Sequence, residues 1–275
     1  MKANFYKMQS LGNDYIYFDC CFDDQNKSIA GYLEQNACAI SKSLCGRRIS
    51  IGADGIVLIL PSQTAHAYMV IFNSDGSRAK MCGNALRAVG YFLSQRLSLK
   101  IVNVQTDSGL RRVYCDSNCI STEMGRAKFI TQSFENFYDK RVLSVIKESV
   151  FCEILTVGNP HLVLMVNDLK NVDFGLIAPL LSKNDGFDGG LNVEIATINL
   201  SKVTARVYER GSGETLSCGT GACAVIASAV KNKLLNFGRN KVAFSGGELF
   251  VDISKDFSLE LAGGVKMVFK GVVEV

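Results

Sequence analysis

The chain has 275 residues, ten of them cysteine, and a formal net charge of +4. Its 30 basic residues are scattered along the chain, so the charge does not indicate a nucleic-acid-binding surface. Apolar runs such as 55–60 and 161–166 are too short to span a membrane, and the N-terminus lacks the apolar segment of a secretory leader. We therefore expect a cytoplasmic protein with reduced thiols and without nucleic acid or membrane as a partner.

Strand patterns dominate the chain. Runs rich in β-branched or aromatic residues, bounded by Gly, Asn, Asp or Ser, predict strands at 14–20, 55–60, 67–72, 101–106, 150–157, 161–166, 192–198 and 202–208. Helices are predicted at 29–44, 83–97, 173–181 and 219–235, and the polar stretch 131–141 is predicted to be a loop near a domain junction. The last helix is apolar nearly all round from Ala222 to Ala229, which indicates that a sheet surrounds it.

Two cysteines, Cys82 and Cys218, occur in the same local setting 136 residues apart. Each follows a predicted strand and a glycine-rich turn, precedes a glycine, and opens a predicted helix; Ala88 and Val89 match Ala224 and Val225. A repeat of this kind predicts two similar α/β units, each with a thiol at the N-terminus of a helix.

This position gives a thiol particular chemistry. The first amides of a helix have no partner within the helix and carry partial positive charge, so segments Gly83-Asn84 and Gly219-Thr220 are suited to binding a carboxylate. The same field lowers a thiol pKa from about 8.5 toward neutrality. One sulfur acting as base and the other as acid on opposite faces of a carbon would invert its configuration, without a cofactor.

Other interpretations remain open at this point. A cysteine before a helix usually serves packing, and a separated pair could instead form a redox couple or line the cleft of a non-catalytic amino-acid-binding protein. A metal site is not expected, since the cysteines lack CxxC spacing and the only histidines are His66 and His161.

Six motifs, taken in order, resemble the diaminopimelate epimerase family, whose cofactor-independent isomerases interconvert LL- and meso-diaminopimelate in lysine and peptidoglycan synthesis. They are FYKMQSLGNDY (5–15), ISIGADGIVLILPS (49–62), FNSDGSRAKMCGN (72–84), VGNPHLV (157–163), NVEI (192–195) and RVYERGSGETLSCGTGAC (206–223). The resemblance implies two pseudo-symmetric α/β domains, each a mixed sheet curled around a central helix, with the site in the cleft between them. It places the domains at 1–122 plus a final strand 265–275, and at 123–264, and it implies a homodimer with Phe269 at the interface.

The resemblance also implies roles for individual residues. Cys82 and Cys218 would be the alternating base and acid, with His161 and Glu209 adjusting thiol pKa values. The substrate contacts that it implies are Asn13, Asn73, Gly83, Asn84, Asn159, Asn192, Glu209, Arg210, Gly219 and Thr220.

The chain departs from the family pattern at several positions. Gln9-Ser10 stands where His-Gly is common, Ala85 and Ala88 replace a glycine and a cysteine, and Gly55 stands where some members have glutamine. Loss of that side chain leads us to expect relaxed specificity toward other acidic amino acids such as glutamate. The nearest rival functions are cofactor-independent racemases of the proline, hydroxyproline or glutamate type.

Overall fold

The computed structural model describes residues 1–116, 119–131, 139–183, 186–187, 189–200 and 202–275. It divides into two compact units: unit 1 comprises Met1–Glu123 and Gly263–Val275, and unit 2 comprises Met124–Ala262. The sequence prediction places these divisions at 122 and 264. No helix within the described ranges is both long and apolar enough to cross a membrane.

Unit 1 contains one long helix and several short ones. Its strands are β1 (Lys2–Ser10), β2 (Asn13–Asp19), β3 (Gly55–Leu60), β4 (Ala67–Asn73), β5 (Arg78–Ala79), β6 (Ile101–Thr106), β7 (Gly109–Asp116), the start of β8 (Cys119–Arg126) and the last strand, β18 (Lys266–Glu274). Its helices are α1 (Asp24–Ser28), α2 (Ala30–Gln35), α3 (Ala37–Leu44) and α4 (Gly83–Leu97).

Unit 2 has a similar content. Its strands are β9 (Lys128–Ile130), β10 (Phe151–Thr156), β11 (Pro160–Met165), β12 (Asn192–Asn199), β13 (Lys202–Glu209), β14 (Gly213–Thr215), β15 (Gly238–Phe244), β16 (Gly247–Ile253) and β17 (Ser258–Gly263). Its helices are α5 (Lys140–Glu148), α6 (Phe174–Ser182) and α7 (Gly219–Lys231), with a 3-10 turn at Leu169–Asn171.

The two units share one strand topology. In unit 1, β1–β2, β3–β4 and β6–β7 are antiparallel pairs joined by the parallel pairs β2–β3 and β4–β6. In unit 2, β10–β11, β12–β13 and β15–β16 are antiparallel pairs joined by the parallel pairs β11–β12 and β13–β15. Helices bridge each parallel pair, as parallel strands require: α1 to α3 and α4 in unit 1, α6 and α7 in unit 2. The predicted mixed α/β fold with a repeated unit is confirmed.

The central helices α4 and α7 are buried on nearly every side. The sequence of β3 is a continuous apolar run because both faces of the strand are buried. Val57 and Ile59 pack in the cluster around α4, whereas Ile56 and Leu58 pack in the cluster with α2 and α3. A strand covered on both faces favours apolar side chains at nearly every position. The glycine-rich start and apolar body of α7 place Cys218 at the entrance of an otherwise apolar helix.

Three predicted elements were wrong in part. The helix expected at 29–44 is broken into two, α2 and α3, with Asn36 at the junction, where its side-chain amide donates to the Tyr32 carbonyl and competes with the helical backbone. The helix expected to reach 235 ends at Lys231 because Lys233 has a left-handed φ of 60°. The predicted loop 131–141 lies at 132–138 outside the described residues, and its last two residues begin α5.

Candidate active site

Cys82 and Cys218 are the N-cap residues of the two central helices, α4 and α7. Their backbone conformations nearly coincide, with φ −139° and ψ 120° at Cys82 and φ −133° and ψ 125° at Cys218. Neither cysteine is part of a disulfide. The amides that follow each cysteine lack acceptors within the helix, so each unit presents an anion-binding helix start directly beside a sulfur.

Cys218 is buried and surrounded by negative charge. The Gly221 amide donates to its sulfur at 3.4 Å, and the Thr220 hydroxyl lies 3.3 Å from it. Burial, followed by the charges of Glu209 and Glu194, raises the pKa of the Cys218 thiol well above its usual value. This sulfur therefore holds its proton and is suited to be the acid.

Cys82 is half-buried, in contrast to the buried Cys218. The Cys82 thiol donates to the Asn13 side-chain oxygen at 3.6 Å, and Cys82 packs against the buried cluster that contains Tyr15. Unlike the sulfur of Cys218, that of Cys82 accepts no bond from the first turn of its helix. The two thiols thus have the same backbone setting and different side-chain surroundings.

The Asn13 side chain is held by an ion cluster behind it. Its amide donates to Asp54 at 2.7 Å, and Arg47 bridges Asp54 and Asp14 at 2.7 Å each. Lys7 lies 2.6 Å from Asp14. Although burial opposes ionisation of Asp14, hydrogen bonds from Arg47 and Lys7 lower the pKa of its carboxyl. The cluster fixes Asn13 with its oxygen toward Cys82.

His161 lies fully buried between two oxygens. Its Nδ1 is 2.8 Å from Glu194 Oε1, and its Nε2 is 3.0 Å from Asn159 Oδ1. A carboxylate only accepts hydrogen bonds, so Nδ1 carries a proton. A Cβ at Gly221 would lie 2.5 Å from Glu194 Oε1, which shows that the carboxylate packs directly on the first turn of α7.

The Asn84 side chain is oriented by a buried arginine. Arg87, which is 0 % exposed, donates at 2.7 Å to Asn84 Oδ1 and at 2.7 Å to the Ser10 hydroxyl, which in turn donates to the Gly264 carbonyl. With its oxygen occupied by Arg87, Asn84 has its NH₂ group available to donate to a carboxylate.

Comparison with known proteins identifies the family. The sequence profile described as diaminopimelate epimerase matches residues 5–130 and 154–268. A diaminopimelate epimerase of Carboxydothermus hydrogenoformans is 34% identical over 277 residues, covering 97% of this chain and 98% of its own; one from Methanococcus maripaludis is 35% identical over 288 residues, covering 98% and 99%. The chain belongs to the diaminopimelate epimerase family. The resemblance read from the sequence is confirmed.

A solved structure supports the fold of this epimerase family member. The crystal structure of a Bacillus anthracis phenazine biosynthesis protein of the PhzF family matches all of both chains with a TM-score of 0.77 at 14% identity. At that identity the likeness concerns the fold alone.

The structure groups the site residues predicted for an epimerase within each unit. In unit 2, Asn192 accepts from the Arg210 amide at 2.9 Å, and Glu209 accepts from Thr215 at 2.5 Å and hydrogen-bonds Cys218. Burial raises the pKa of the Glu209 carboxyl. In unit 1, Asn73 at the end of β4 donates to Ser77 at 3.0 Å, and no contact of its side chain with a cysteine is found among the described residues.

Four residues of these surroundings were missed by sequence reasoning: Tyr15, Asp54, Arg87 and Glu194. The signal was strongest for Glu194, a charged residue in the middle of a strand whose flanking Val193 and Ile195 are fully buried. An ionisable residue at such a position needs a buried partner, which here is His161.

The absence of a side chain at Gly55 leaves no empty space beside the backbone. A Cβ there would meet the Phe72 carbonyl oxygen and would lie 2.8 Å from the ring of Tyr15. A side chain at this position would compete with the ring of Tyr15 for the same room.

Proposed function

We propose that this protein epimerises LL-diaminopimelate to meso-diaminopimelate by a two-base mechanism without a cofactor, in lysine and peptidoglycan synthesis. The observation that carries the proposal is the pair of N-cap cysteines on two repeat-related helices, in a chain of the diaminopimelate epimerase family. The reaction requires both sulfurs at the same α-carbon, each next to an anion-binding helix start.

In the direction from the LL isomer, Cys82 is the base and Cys218 the acid. The Cys82 thiolate removes the α-proton, and negative charge spreads onto the substrate carboxylate, where amides of Gly83, Asn84, Gly219 and Thr220 stabilise it. The Cys218 thiol then donates its proton to the opposite face and becomes the thiolate. This assignment follows from the raised pKa of the Cys218 thiol in its buried, acidic surroundings.

The remaining polar residues suit the second amino-acid end of diaminopimelate. The Arg210 guanidinium and side-chain amides can bind its carboxylate, and amide oxygens with Glu209 can accept from its ammonium group. The contacts we assign to substrate are Asn13, Asn73, Asn159, Asn192, Glu209 and Arg210. His161 adjusts the thiol pKa values and does not transfer the proton itself.

The deciding experiment is proton NMR of the reduced, cofactor-free protein with LL-diaminopimelate in deuterated water. We expect solvent deuterium at the α-carbon of a new meso product. Cys82→Ala and Cys218→Ala should each abolish inversion, whereas Cys38→Ala, at an exposed cysteine, should not. A folded, reduced protein that neither exchanges nor inverts diaminopimelate contradicts the proposal.

The same assay separates the rival functions. Inversion of proline, hydroxyproline or glutamate without diaminopimelate turnover would indicate another racemase, and binding that survives both alanine substitutions would indicate a binding protein. Relaxed specificity was expected from Gly55; because Tyr15 fills the adjoining space, we expect glutamate to react far more slowly than diaminopimelate. Equal rates on glutamate and diaminopimelate would show that the specificity is relaxed.

We further propose a cytoplasmic homodimer. Strand β18 exposes Val268, Phe269 and Val272, each with at least 46% of its surface accessible. Three exposed apolar side chains on one strand provide a surface suited to packing against a second copy of the chain.

A further inference from the structure

The shared topology of the two units makes residues of one unit equivalent to residues of the other. Strands β2 and β11 both start after a glycine with a left-handed φ, 82° at Gly12 and 87° at Gly158. Asn13 follows the first glycine and Asn159 the second. Two residues on, Tyr15 pairs with Gly55 at the start of β3, and His161 pairs with Asn192 at the start of β12. Tyr15 is therefore the counterpart of His161.

The side chain of Tyr15 lies on the Cys82 side of β2. It is 5% exposed, and side chains two residues apart on a strand share a face, so it projects on the same side as Asn13, which contacts Cys82. Cys82 packs against the buried cluster that contains Tyr15, and its interaction with the Tyr15 hydroxyl contributes to the raised pKa of that hydroxyl. The ring is held against Gly55.

The charged neighbours of Cys218 have no charged counterparts in unit 1. Counting along the paired strands, Glu194 on β12 corresponds to Val57 on β3, and Glu209 at the end of β13 corresponds to Asn73 at the end of β4. The carboxylates that keep Cys218 protonated are thus replaced by an apolar and a neutral side chain. A hydrogen-bond donor, Tyr15, is retained.

We propose that Tyr15 is a further catalytic residue, whose hydroxyl donates to the sulfur of Cys82 and stabilises its thiolate. The inference deepens the proposed function, in which Cys82 is the base. A donor to the charged form of a group favours that form, so Tyr15 increases the thiolate fraction available to remove the α-proton.

Tyr15 can fill this role over the whole working range of pH. Burial, with the nearby Cys82, raises the pKa of the Tyr15 hydroxyl well above its usual value, so it remains a donor. The other titratable groups that act on Tyr15 or on its neighbour Tyr17 are Asp14 on β2, Asp54 before β3 and Arg87 on α4. They remain in place when the Tyr15 hydroxyl is removed.

The test is the pH dependence of Cys82 alkylation by iodoacetamide, read by mass spectrometry of the peptide that contains it. Tyr15→Phe should raise the midpoint by about one pH unit or more, the tenfold effect of losing one hydrogen bond to a charged group. Tyr17→Phe is the matched control, because Tyr17 is equally buried on the same face of β2 and makes no hydrogen bond to Cys82 among the described residues. An unchanged midpoint in Tyr15→Phe, or an equal shift in Tyr17→Phe, overturns the proposal.

A second measurement leaves the tyrosine side chain in place and so does not depend on whether Tyr15→Phe folds. Replacing all tyrosines with 3-fluorotyrosine makes each phenol a stronger donor, which should lower the Cys82 midpoint and leave that of exposed Cys38 unchanged. No change at Cys82 contradicts the proposal. Both measurements read thiol ionisation without substrate, so they remain interpretable if the protein does not turn over diaminopimelate.

When turnover is present, the pH profile of kcat/KM gives an independent check. Tyr15→Phe should move its acidic limb upward with the alkylation midpoint, since that limb reports the base of the free enzyme. A lower kcat/KM with an unmoved limb would assign Tyr15 a packing role only.

Discussion

Glu209 is the residue whose charge acts most directly on Cys218. Its carboxyl hydrogen-bonds the thiol, and its charge is, after burial, the largest cause of the raised Cys218 pKa. An ionised carboxylate opposes formation of a thiolate beside it, which preserves the proton that Cys218 donates to the substrate.

We predict that Glu209→Gln lowers the pKa of Cys218. The amide keeps the size of the side chain but removes the negative charge, so alkylation of Cys218 should begin about one pH unit lower. The measurement is the rate of Cys218 alkylation against pH by mass spectrometry. Glu153→Gln is the control, since that carboxylate, also in unit 2, is paired with Lys231 at 2.7 Å. A Cys218 midpoint that rises or stays constant in Glu209→Gln would contradict this assignment.

At the scale of one element, the first turn of α7 depends on a glycine. A Cβ at Gly221 would lie 2.5 Å from Glu194 Oε1 and 3.2 Å from the Cβ of Cys218. Both neighbours are buried, so neither can move into solvent. The close approach keeps the Glu194 carboxylate next to the cysteine that begins the helix.

Gly221→Ala should therefore destabilise the protein by about 1–3 kcal/mol, the range for overpacking a well-filled core. Gly175→Ala is a matched substitution in the first turn of α6, where the nearest atom lies 3.7 Å from the added Cβ. That change should be neutral or stabilise by up to about 1 kcal/mol because alanine restricts the unfolded chain. Urea unfolding of both variants measures the difference. Equal unfolding free energies would show that Glu194 moves away without cost.

The sequence predicted elements with a long apolar or strongly periodic pattern better than those with a polar exposed face. The bounds of β3, β6 and α4 coincide with their predicted ranges because each is a long apolar or strongly periodic run between clear turn residues. Strands β7 and β15 were missed, since Arg111, Arg112, Arg239 and Lys241 give them a polar exposed face. Helix α5 was missed because only Val142 among its residues is fully buried.

The sequence predicted those residues of the candidate site that belong to short local motifs. The two cysteines, the glycines after them and the asparagines in turns are visible as motifs. Tyr15 and Glu194 become relevant only through strand register, which places Tyr15 beside Gly55 and Glu194 on the α7 side of β12. The side-chain contacts that follow from this register join residues 33 or more positions apart, as His161 and Glu194 are. No local sequence pattern encodes such contacts.

For the molecule as a whole, the C-terminal strand completes unit 1 and exposes three large apolar side chains, Val268, Phe269 and Val272. Strand β18 pairs antiparallel with β1 along its length, with a register shift at Lys7/Met8 that leaves Val268 without a paired residue. The ring of Phe269 packs edge-on against Phe5, with centroids 5.8 Å apart, yet 46% of the side chain remains accessible. A second copy of the chain is the partner that the proposed homodimer would supply there.

We predict that Phe269→Glu converts the protein to a monomer. The substitution places a charge where an apolar side chain would be desolvated, and burial of an unpaired charge opposes association. Sedimentation equilibrium should give twice the chain mass for the unmodified protein and the single-chain mass for the variant. Leu200→Glu serves as the control, because Leu200 is apolar and 98% exposed but belongs to unit 2, away from β18 in the chain. A variant that keeps the dimeric mass would exclude Phe269 from the interface, and a monomeric unmodified protein would exclude the homodimer.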